Sequence, residues 1–398
     1  MKAGTRETAA ALTGFTVGVT AARRREELTA LLRRRGARVT EAPALRIVPL
    51  EDDAALRAAT ERCLAAPLDY VVATTGVGWR GWMSAAEGWG YGAALTAACR
   101  DAEVLSRGPK ATGAVRACGT TETYSPASEA VDELRTWLLA RDLTGRRIAV
   151  QEHGAPLPGL AAALRERGAE VVEVPVYRWA PPHDPEPVRR LAEATARGDV
   201  HALLFTSAPA ITSFLEHAET AGRYDAVLER LRGDVLALCV GPVCARPLLE
   251  VGAEPVWPAR GRLGAMVHLL TATLPDRNRH LIPVGDRTLV LQGNALLLGG
   301  DEGSAAEEAA EETEAVWLTP GSARILRALA EQPGWVVGRR ELLRRVWPGQ
   351  AADEHAVEAA VTRLRAALGP YAGLVRTVPK RGYRLATEPT ARPQAGTR

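Results

Sequence analysis

The chain has 398 residues, of which 46% are hydrophobic and 24% are charged, with a formal net charge of +3. This composition excludes a largely disordered chain and is typical of a folded protein of two or three domains. There is no run of about 18 apolar residues, and the start MKAGTRETAAALTG lacks the apolar core of a signal peptide, so the sequence predicts a cytoplasmic protein without membrane contact.

The first 275 residues contain an internal repeat. FTVGVT (15–20) precedes a helical pattern and RRRGARVTEAP (33–43), and IAVQEH (148–153) likewise precedes RERGAEVVEVP (165–175). At matched offsets after Gly36 and Gly168, an apolar strand ends at Thr75 or Ser207, and a Gly-Pro pair follows at Gly108 or Gly241. The repeat and its continuously apolar strands predict the α/β class with parallel sheets.

Candidate ligand-binding residues lie where these strands end. Ligands of parallel α/β folds bind at the carboxyl ends of the strands. The residues predicted there are Thr74, Thr75, Gly76, Gly108, Thr206, Ser207, Gly241 and Val243.

Cofactor and metal motifs receive little support. Gly76–Gly81 matches the G-x-G-x-x-G dinucleotide pattern, but no acidic residue closes a following strand and the second repeat has SAPAITSF at the equivalent place. The five cysteines lack paired metal-ligand spacing and are predicted to be buried, reduced thiols. We therefore predict no cofactor and no metal.

The motifs GxxVxVT, DYVVxTT, GPK, GRRIAV, VxVYRW, FTSAPAITSFL and CVGPVCARPLLExG occur in this order over about residues 12–275. This region resembles uroporphyrinogen-III synthase. The resemblance implies two flavodoxin-like lobes, lobe one from about 1–43 plus 180–275 and lobe two from about 46–175.

The resemblance also implies an activity, the cyclisation of hydroxymethylbilane with loss of water, without metal or cofactor. Tyr177 would be the proton donor, Ser207 a hydroxyl in the ligand cleft, and the Gly241-Pro242 turn a source of backbone N–H groups for the carboxylates of the substrate. Val243 and Cys244 stand where the family often has hydroxyl residues. An active enzyme and a catalytically silent ligand-binding region both remain open.

The last hundred residues predict a different fold. RTLVLQGNALLLGG (287–300) predicts two strands, Thr319-Pro320 starts a helix, and GRRELLRRVWPG (338–349) and DEHAVEAAVTRLRAALG (353–369) predict two more. VRTVPKRGYRLA predicts a closing hairpin, which completes a winged helix. From Val316 the chain carries 14 Lys and Arg against 6 Asp and Glu, a balance that favours a polyanion as partner.

The third helix of this module has two distinct faces. Val357, Val361, Leu364 and Leu368 form an apolar stripe, and the opposite side carries small, hydroxyl and basic residues that suit base edges. The whole module resembles the effector domain of OmpR/PhoB-type response regulators, with the hairpin as the wing and Tyr383 as its anchor. The predicted DNA-binding residues are Arg339, Arg340, His355, Ala359, Thr362, Arg363, Arg365, Arg376, Lys380, Arg381 and Arg384.

We predict a linker at 276–285, a winged-helix domain at 286–388 with an acidic loop at 301–314, and a disordered tail at 389–398. The fusion resembles transcriptional regulators of nitrate and nitrite assimilation in high-GC bacteria. The predicted function is a DNA-binding regulator whose synthase-like region senses a tetrapyrrole or serves assembly, and the alternative is an active synthase with a DNA-binding tail. The predicted partners are double-stranded promoter repeats, a tetrapyrrole, and a second copy or a partner regulator.

Overall fold

The computed structural model describes residues 7–8, 10–49, 54–152, 154, 157–284, 287–298, 314–347 and 353–386. The chain divides into two compact units, Leu45–Pro182 and the combination of Met1–Ala44 with His183–Arg398. We call Leu45–Pro182 lobe two, the part of the other unit up to residue 278 lobe one, and residues 279–386 the winged-helix domain.

The chain begins in lobe one. Its first elements are β1 (Glu7–Thr8), β2 (Thr16–Val19), α1 (Arg25–Arg33) and β3 (Arg38–Glu41). Gly36 follows α1 with φ +87°, and a Cβ at this position would lie 2.6 Å from Thr13 Oγ1. The first glycine of the repeat is therefore needed both for its left-handed backbone and for the close approach of the preceding turn.

Lobe two is a parallel α/β sandwich. Its elements are β4 (Arg46–Pro49), α2 (Ala54–Leu64), β5 (Tyr70–Ala73), α3 (Gly76–Gly88), α4 (Gly92–Asp101), β6 (Glu103–Ser106), α5 (Pro109–Ala117), β7 (Glu122–Tyr124), α6 (Val131–Leu139), β8 (Arg147–Gln151), α7 (Pro158–Glu166), β9 (Glu170–Val174) and β10 (Tyr177–Ala180). The parallel sheet has the order β7-β6-β5-β8-β9, and β10 pairs antiparallel with β4. In β5, Val71 and Ala73 pack into one core and Tyr70 and Val72 into another. Both faces of the strand are buried, which is why its sequence is continuously apolar.

Lobe one continues after lobe two. Its later elements are α8 (Glu186–Ala196), β11 (Ala202–Phe205), α9 (Ala208–Thr220), α10 (Tyr224–Arg232), β12 (Leu236–Cys239), α11 (Pro242–Glu250) and α12 (Leu263–Asn278). The sheet order is β12-β11-β2-β3, and all three pairings are parallel. The predicted α/β class with parallel sheets is confirmed in both lobes.

The winged-helix domain follows without a gap. Its elements are β13 (Arg279–Val284), β14 (Arg287–Gln292), β15 (Ala295–Leu298), β16 (Glu314–Trp317), α13 (Pro320–Ala330), α14 (Arg339–Val346), α15 (Glu354–Leu368), a 3₁₀ turn (Gly369–Leu374), β17 (Val375–Val378) and β18 (Gly382–Leu385). Strands β13 to β16 form an antiparallel sheet that β1 extends, in the order β1-β16-β15-β14-β13. The predicted strands, helices and hairpin of the winged helix are confirmed.

The segment expected to be a linker, 276–285, has regular structure up to residue 284. Helix α12 runs to Asn278 although it contains Pro275, because Leu270 and Leu274 are buried against lobe one. Strand β13 starts at the next residue and pairs with β14 along its whole length. Most of the acidic stretch 301–314 and the whole tail 389–398 lie outside the described residues.

Candidate functional site

Helix α15 presents one polar face to solvent. The Asp353 side chain accepts a hydrogen bond from Ala356 N at 3.2 Å and caps its start, as predicted. The predicted apolar stripe Val357, Val361, Leu364 and Leu368 is buried in the core of the domain. The opposite side is exposed and consists of His355, Ala359, Thr362, Arg363 and Ala366.

Arg363 and Arg365 lie two residues apart and have different surroundings. The Arg363 guanidinium makes no ion pair or hydrogen bond within the part of the chain that the structure describes. Arg365 is half-buried and donates from Nε and Nη2 to Val375 O at 3.0 and 2.7 Å, and from Nη2 to Thr377 Oγ1 at 2.8 Å. Arg363 is therefore available to a ligand, whereas Arg365 ties the helix to the first strand of the wing.

The arginines of α14 are partly neutralised by acids of α15. Arg339 Nε lies 3.1 Å from Glu358 Oε1, and its guanidinium carbon lies 5.5 Å from the centroid of the Tyr383 ring. Arg340 Nε lies 3.2 Å from Glu354 Oε1, but its side chain is 92% exposed. Arg340 can thus turn toward an added polyanion, while Arg339 is held against the domain.

The wing places its cations at the tip and along both strands. Lys380 has φ +60° in the turn, and it and Arg381 are exposed. Arg376 and Arg384 are direct partners across β17 and β18. Tyr383 is buried in the domain core, which confirms its predicted role as the anchor of the wing.

One glycine fixes how the wing meets the rest of the domain. Gly382 has φ +140°, and a Cβ there would lie 2.1 Å from Val337 O. The backbone of Tyr383 exchanges hydrogen bonds with Val337 at 2.8 and 3.0 Å. The glycine in RTVPKRGYRL therefore allows the wing to pair with the segment before α14.

In lobe two, Thr74 and Thr75 close β5 where α3 begins. Thr75 Oγ1 accepts from Gly78 N at 3.1 Å and caps the helix. Gln151, at the end of β8, accepts from Thr74 N at 3.1 Å and donates to Thr75 O at 3.2 Å. Gln151 was not predicted from the sequence, because its partners lie more than 70 positions away.

The first two glycines of the G-x-G-x-x-G match serve close packing, whereas a Cβ at Gly81 would meet no atom within 4 Å. A Cβ at Gly76 would lie 2.1 Å from Lys110 O, and one at Gly78 would lie 2.0 Å from Gln151 Nε2. Helix α3 therefore packs against the start of α5 in the space where a dinucleotide phosphate would need to approach.

Gly108 and Tyr177 occupy neighbouring parts of the same lobe. Gly108 precedes α5 with Pro109 at the first helical position, and Gly108 O accepts from Ala111 N at 2.9 Å. Tyr177 is 8% exposed and belongs to the core that contains Trp79 and Trp82. Burial lowers the pKa of the nearby Arg107 guanidinium, and the interaction with Tyr177 opposes this shift.

In lobe one, Thr206 and Ser207 close β11 and Gly241 follows β12. Ser207 stands at the N-cap of α9, and Gly241 at the N-cap of α11 with Pro242 next to it. The Val243 side chain is 54% exposed. Both pairs lie at the carboxyl ends of adjacent parallel strands, where the fold predicts ligand contacts.

Cys244 points away from the exposed side of this turn. It is buried, and its Sγ lies 3.5 Å from Phe205 O. A hydrogen bond to Cys244, together with burial, raises the pKa of the Cys239 thiol. Neither Val243 nor Cys244 therefore offers a hydroxyl or thiol donor to an anion at the start of α11.

Metal clusters and membrane spans are both absent from the described ranges. These ranges contain no group of three or more His, Cys, Asp and Glu residues arranged to hold a metal ion. Within the same ranges, no helix combines the length and the apolar character needed to cross a membrane.

A parallel α/β region followed by a winged helix with an exposed basic face defines a DNA-binding protein built on an enzyme-like fold. Residues 26–268 match the family described as uroporphyrinogen-III synthase HemD, and residues 312–385 match the family described as transcriptional regulatory protein, C terminal. The chain belongs to the uroporphyrinogen-III synthase family and carries a C-terminal winged-helix domain of the OmpR/PhoB type.

Individual relatives also match either a long stretch of the chain or a short one. The chain is 30% identical over 260 residues to the uncharacterized protein YjjA of Bacillus subtilis, covering 64% of this chain and 94% of that protein. It is 41% identical over 76 residues to the transcriptional regulatory protein AfsQ1 of Streptomyces coelicolor, covering 18% of this chain and 34% of that protein. The chain thus spans about a third of the length of AfsQ1.

A solved structure supports the assignment of the lobes. The mutant uroporphyrinogen III synthase of the extremely thermophilic bacterium Thermus thermophilus is 32% identical, with a TM-score of 0.55, covering 66% of this chain and 99% of that one.

Proposed function

We propose that this DNA-binding regulator reads promoter repeats through α15 and the wing, and that its two lobes bind a tetrapyrrole without turning one over. The face of α15 carries Arg363, an exposed guanidinium that suits guanine, beside the methyl groups of Ala359 and Thr362, which suit thymine. Lys380 and Arg381 at the wing tip suit phosphates or the minor groove.

The observation that carries the proposal for the lobes is the second Gly-Pro turn. The N–H groups of the first turn of α11 favour an anion such as a carboxylate. Turnover would further require donors for the charge that develops as the hydroxyl leaves, and each missing donor can cost about a hundredfold or more. The exposed Val243 and the inward-facing Cys244 supply none.

The regulated process that we propose is nitrate and nitrite assimilation. The support is the resemblance of the fusion to regulators of that process in high-GC bacteria, together with an Arg-rich composition that has Lys only at positions 2, 110 and 380. Nitrite reductases need sirohaem, which derives from uroporphyrinogen III, so a tetrapyrrole is a reasonable input signal.

Two measurements on the full-length protein test this proposal. Genome-wide mapping of bound DNA should return direct or inverted repeats upstream of nitrogen-assimilation genes. Titration with a linear or cyclic tetrapyrrole should quench the tryptophan fluorescence of the protein and change its affinity for those repeats. If the tetrapyrrole quenches the fluorescence but does not change the affinity for DNA, the lobes serve assembly and not signalling. If the mapped binding sites share no common sequence, the protein does not read promoters specifically.

An active synthase remains the second candidate because of Tyr177. The tyrosine is retained, and it lies within electrostatic reach of the half-buried Arg107. A cation near a phenol would stabilise the phenolate left after proton donation. Cyclisation of hydroxymethylbilane distinguishes this candidate from the regulator.

A further inference from the structure

The winged-helix domain contacts lobe one through several polar groups. The two domains have separate apolar cores, one built around β14, α13 and α15 and the other around β2, β11 and α12. The two domains meet through hydrogen bonds, an ion pair and a glycine contact. We call these contacts the seam; they are made by residues 11–14, residues 292–294, Asp199 and Arg324. Because hydrogen bonds are directional, a polar seam fixes orientation more strictly than apolar contact of the same size.

Two backbone connections cross from lobe one. Helix α12 ends at Asn278 and β13 begins at Arg279, so no flexible residue separates the domains. The N-terminal strand β1 pairs with β16, with Glu7 opposite Ala315 and Thr8 opposite Glu314. The start of the chain therefore supplies the edge strand of the sheet of the winged-helix domain.

At the centre of the seam, the turn between β14 and β15 lies directly on residues 11–14. Gln292 Nε2 donates to Thr13 O at 2.8 Å and to Ala11 O at 3.2 Å, and its Oε1 accepts from Arg279 Nε at 2.7 Å. Asn294 N donates to Gly14 O at 2.7 Å. The Gln292 amide is buried, with its oxygen and both protons engaged, so it holds a single orientation.

Two glycines allow this approach. Gly14 has φ +93°, and a Cβ there would lie 2.0 Å from Gln292 O. Gly293 has φ +55°, and a Cβ there would lie 2.5 Å from Gly14 O. The backbones of the two domains are in direct contact, which only glycine permits at both positions.

A second contact joins α13 to the loop between α8 and β11. Arg324 Nη1 donates to Arg197 O at 2.6 Å and to Asp199 Oδ1 at 3.3 Å. Asp199 is held in turn by Arg197 Nε at 2.8 Å. On the other side, the guanidinium carbon of Arg38 lies 3.8 Å from the centroid of the Trp317 ring.

We infer that lobe one and the winged-helix domain form a single rigid body, in which the seam fixes the direction of the reading helix relative to the synthase-like sheet. The exposed face of α15 lies outside the seam, so lobe one holds the reader without covering it. The chain crosses between its two compact units at residues 44–45 and 182–183. A ligand signal that reaches DNA would then pass through these crossings, and not through movement of the winged helix on lobe one.

Pulsed electron spin resonance between two labels on the full-length protein tests this inference. Labels would be placed at the exposed Glu219→Cys in α9 and Gln332→Cys after α13, with the half-buried Cys118 replaced by Ser. A reference pair at Glu219→Cys and Glu254→Cys lies wholly within lobe one. We expect the same distribution width for both pairs, and a cross-domain distribution several times broader than the reference would overturn the inference.

Variants test whether the seam produces the rigidity. Arg324→Ala removes the ion pair with Asp199, whereas Arg340→Ala removes an exposed side chain of the same type in α14. We expect Arg324→Ala to broaden the cross-domain distribution while the reference pair stays unchanged, and Arg340→Ala to change neither. Equal widths for both variants would show that the ion pair between Arg324 and Asp199 does not set the orientation. If Arg324→Ala disturbs folding, the wild-type widths still decide the question.

Discussion

At the scale of single residues, neighbouring arginines in α15 have different tasks. Arg363 is exposed and its guanidinium makes no ion pair or hydrogen bond with the described part of the chain, whereas Arg365 donates three hydrogen bonds to β17. Helical spacing placed both near the reading face. Only the position of the wing shows that Arg365 connects the helix to the wing.

Replacing Arg363 with Ala should weaken binding to the promoter repeats by about 1–3 kcal/mol, because the hydrogen bonds to a base edge are removed. The change should relax sequence preference at one position of the site. Competition binding with single-base variants of the repeat measures this effect. Arg190→Ala, at an exposed position of α8 in lobe one, is the matched control and should change nothing. An unaltered preference in Arg363→Ala would remove this residue from base reading.

Replacing Arg365 with Ala should instead lower the free energy of unfolding of the winged-helix domain by about 2 kcal/mol, because the carbonyl of the buried Val375 loses a charged donor. Hydrogen exchange of β17 and β18 measures the effect locally. Arg363→Ala serves as the control and should leave exchange unchanged. If Arg365→Ala leaves the wing fully protected, the residue does not hold it.

At the scale of elements, the wing and the reading helix contribute different terms to DNA binding. Lys380 and Arg381 are exposed at the turn between β17 and β18. Changing both to Ala should weaken binding to all sequences evenly. The slope of log affinity against log salt should fall by about 0.9 for each phosphate that the wing no longer neutralises. A change in sequence preference at constant slope would contradict this division of roles.

His201, which directly precedes β11, makes the stability of the protein depend on pH. It is buried, its Nδ1 accepts from Thr16 N at 3.0 Å, and its ring packs edge-on against Phe15. Burial first, and then the positive charge of Arg327, lower the His201 pKa to about 4, with Arg324 acting in the same direction and Asp199 opposing it. The protonated form is disfavoured in the folded state.

Because the folded pKa of His201 is below its unfolded value of about 6.5, its contribution to stability is complete above pH 6.5 and is lost as the pH falls toward 4. The loss approaches about 3 kcal/mol. Denaturant unfolding between pH 7 and 4 measures it against His201→Asn, which keeps an acceptor for Thr16 N but does not titrate. Parallel pH curves for the two proteins would contradict the assignment.

Features that depend on neighbouring residues were predicted well from the sequence. Asp353 and Gly369 mark the two ends of α15, and an apolar stripe marks its buried face. The hairpin pattern likewise predicted that Tyr383 anchors the wing. Strand β1 has two residues and contributes backbone hydrogen bonds to a strand more than 300 positions away, so no periodicity marks it. Gln151 and Gln292 were missed for the same reason, since a buried amide is recognised by its partners and not by its neighbours in sequence.

At the scale of the whole molecule, the synthase-like region and the winged-helix domain are joined by more than the continuous chain. The N-terminal strand β1 also pairs with β16 of the winged-helix domain. Pro275 and the polar residues after it suggested a linker at 276–285, whereas burial of Leu274 and the pairing of β13 with β14 give this segment regular structure up to residue 284. The predicted repeat did locate the strand-end residues of each lobe. The assignment of these residues to a tetrapyrrole stays a prediction.

Limited proteolysis should cut within the acidic stretch predicted as a loop at 301–314, whose sequence holds few apolar side chains. The two fragments should remain together, because β15 precedes the cut, β16 follows it, and the two strands are paired. Ala295 lies opposite Trp317 at one end of this pairing, and Leu298 lies opposite Glu314 at the other. Size-exclusion chromatography of the nicked protein checks this. Separate elution of the C-terminal fragment would contradict a shared sheet.

The central claim is that a synthase fold serves here as part of a regulator. The most direct test is the rate at which the full-length protein forms uroporphyrinogen III from hydroxymethylbilane, compared with the spontaneous type I product. Tyr177→Phe is the test variant, and Tyr70→Phe, equally buried in the same lobe, is its control. We predict mainly the type I product, with no difference among the three proteins. Formation of the III isomer within about tenfold of a stand-alone synthase, a barrier difference of roughly 1.4 kcal/mol, that is lost in Tyr177→Phe and kept in Tyr70→Phe would contradict the account and identify an active enzyme.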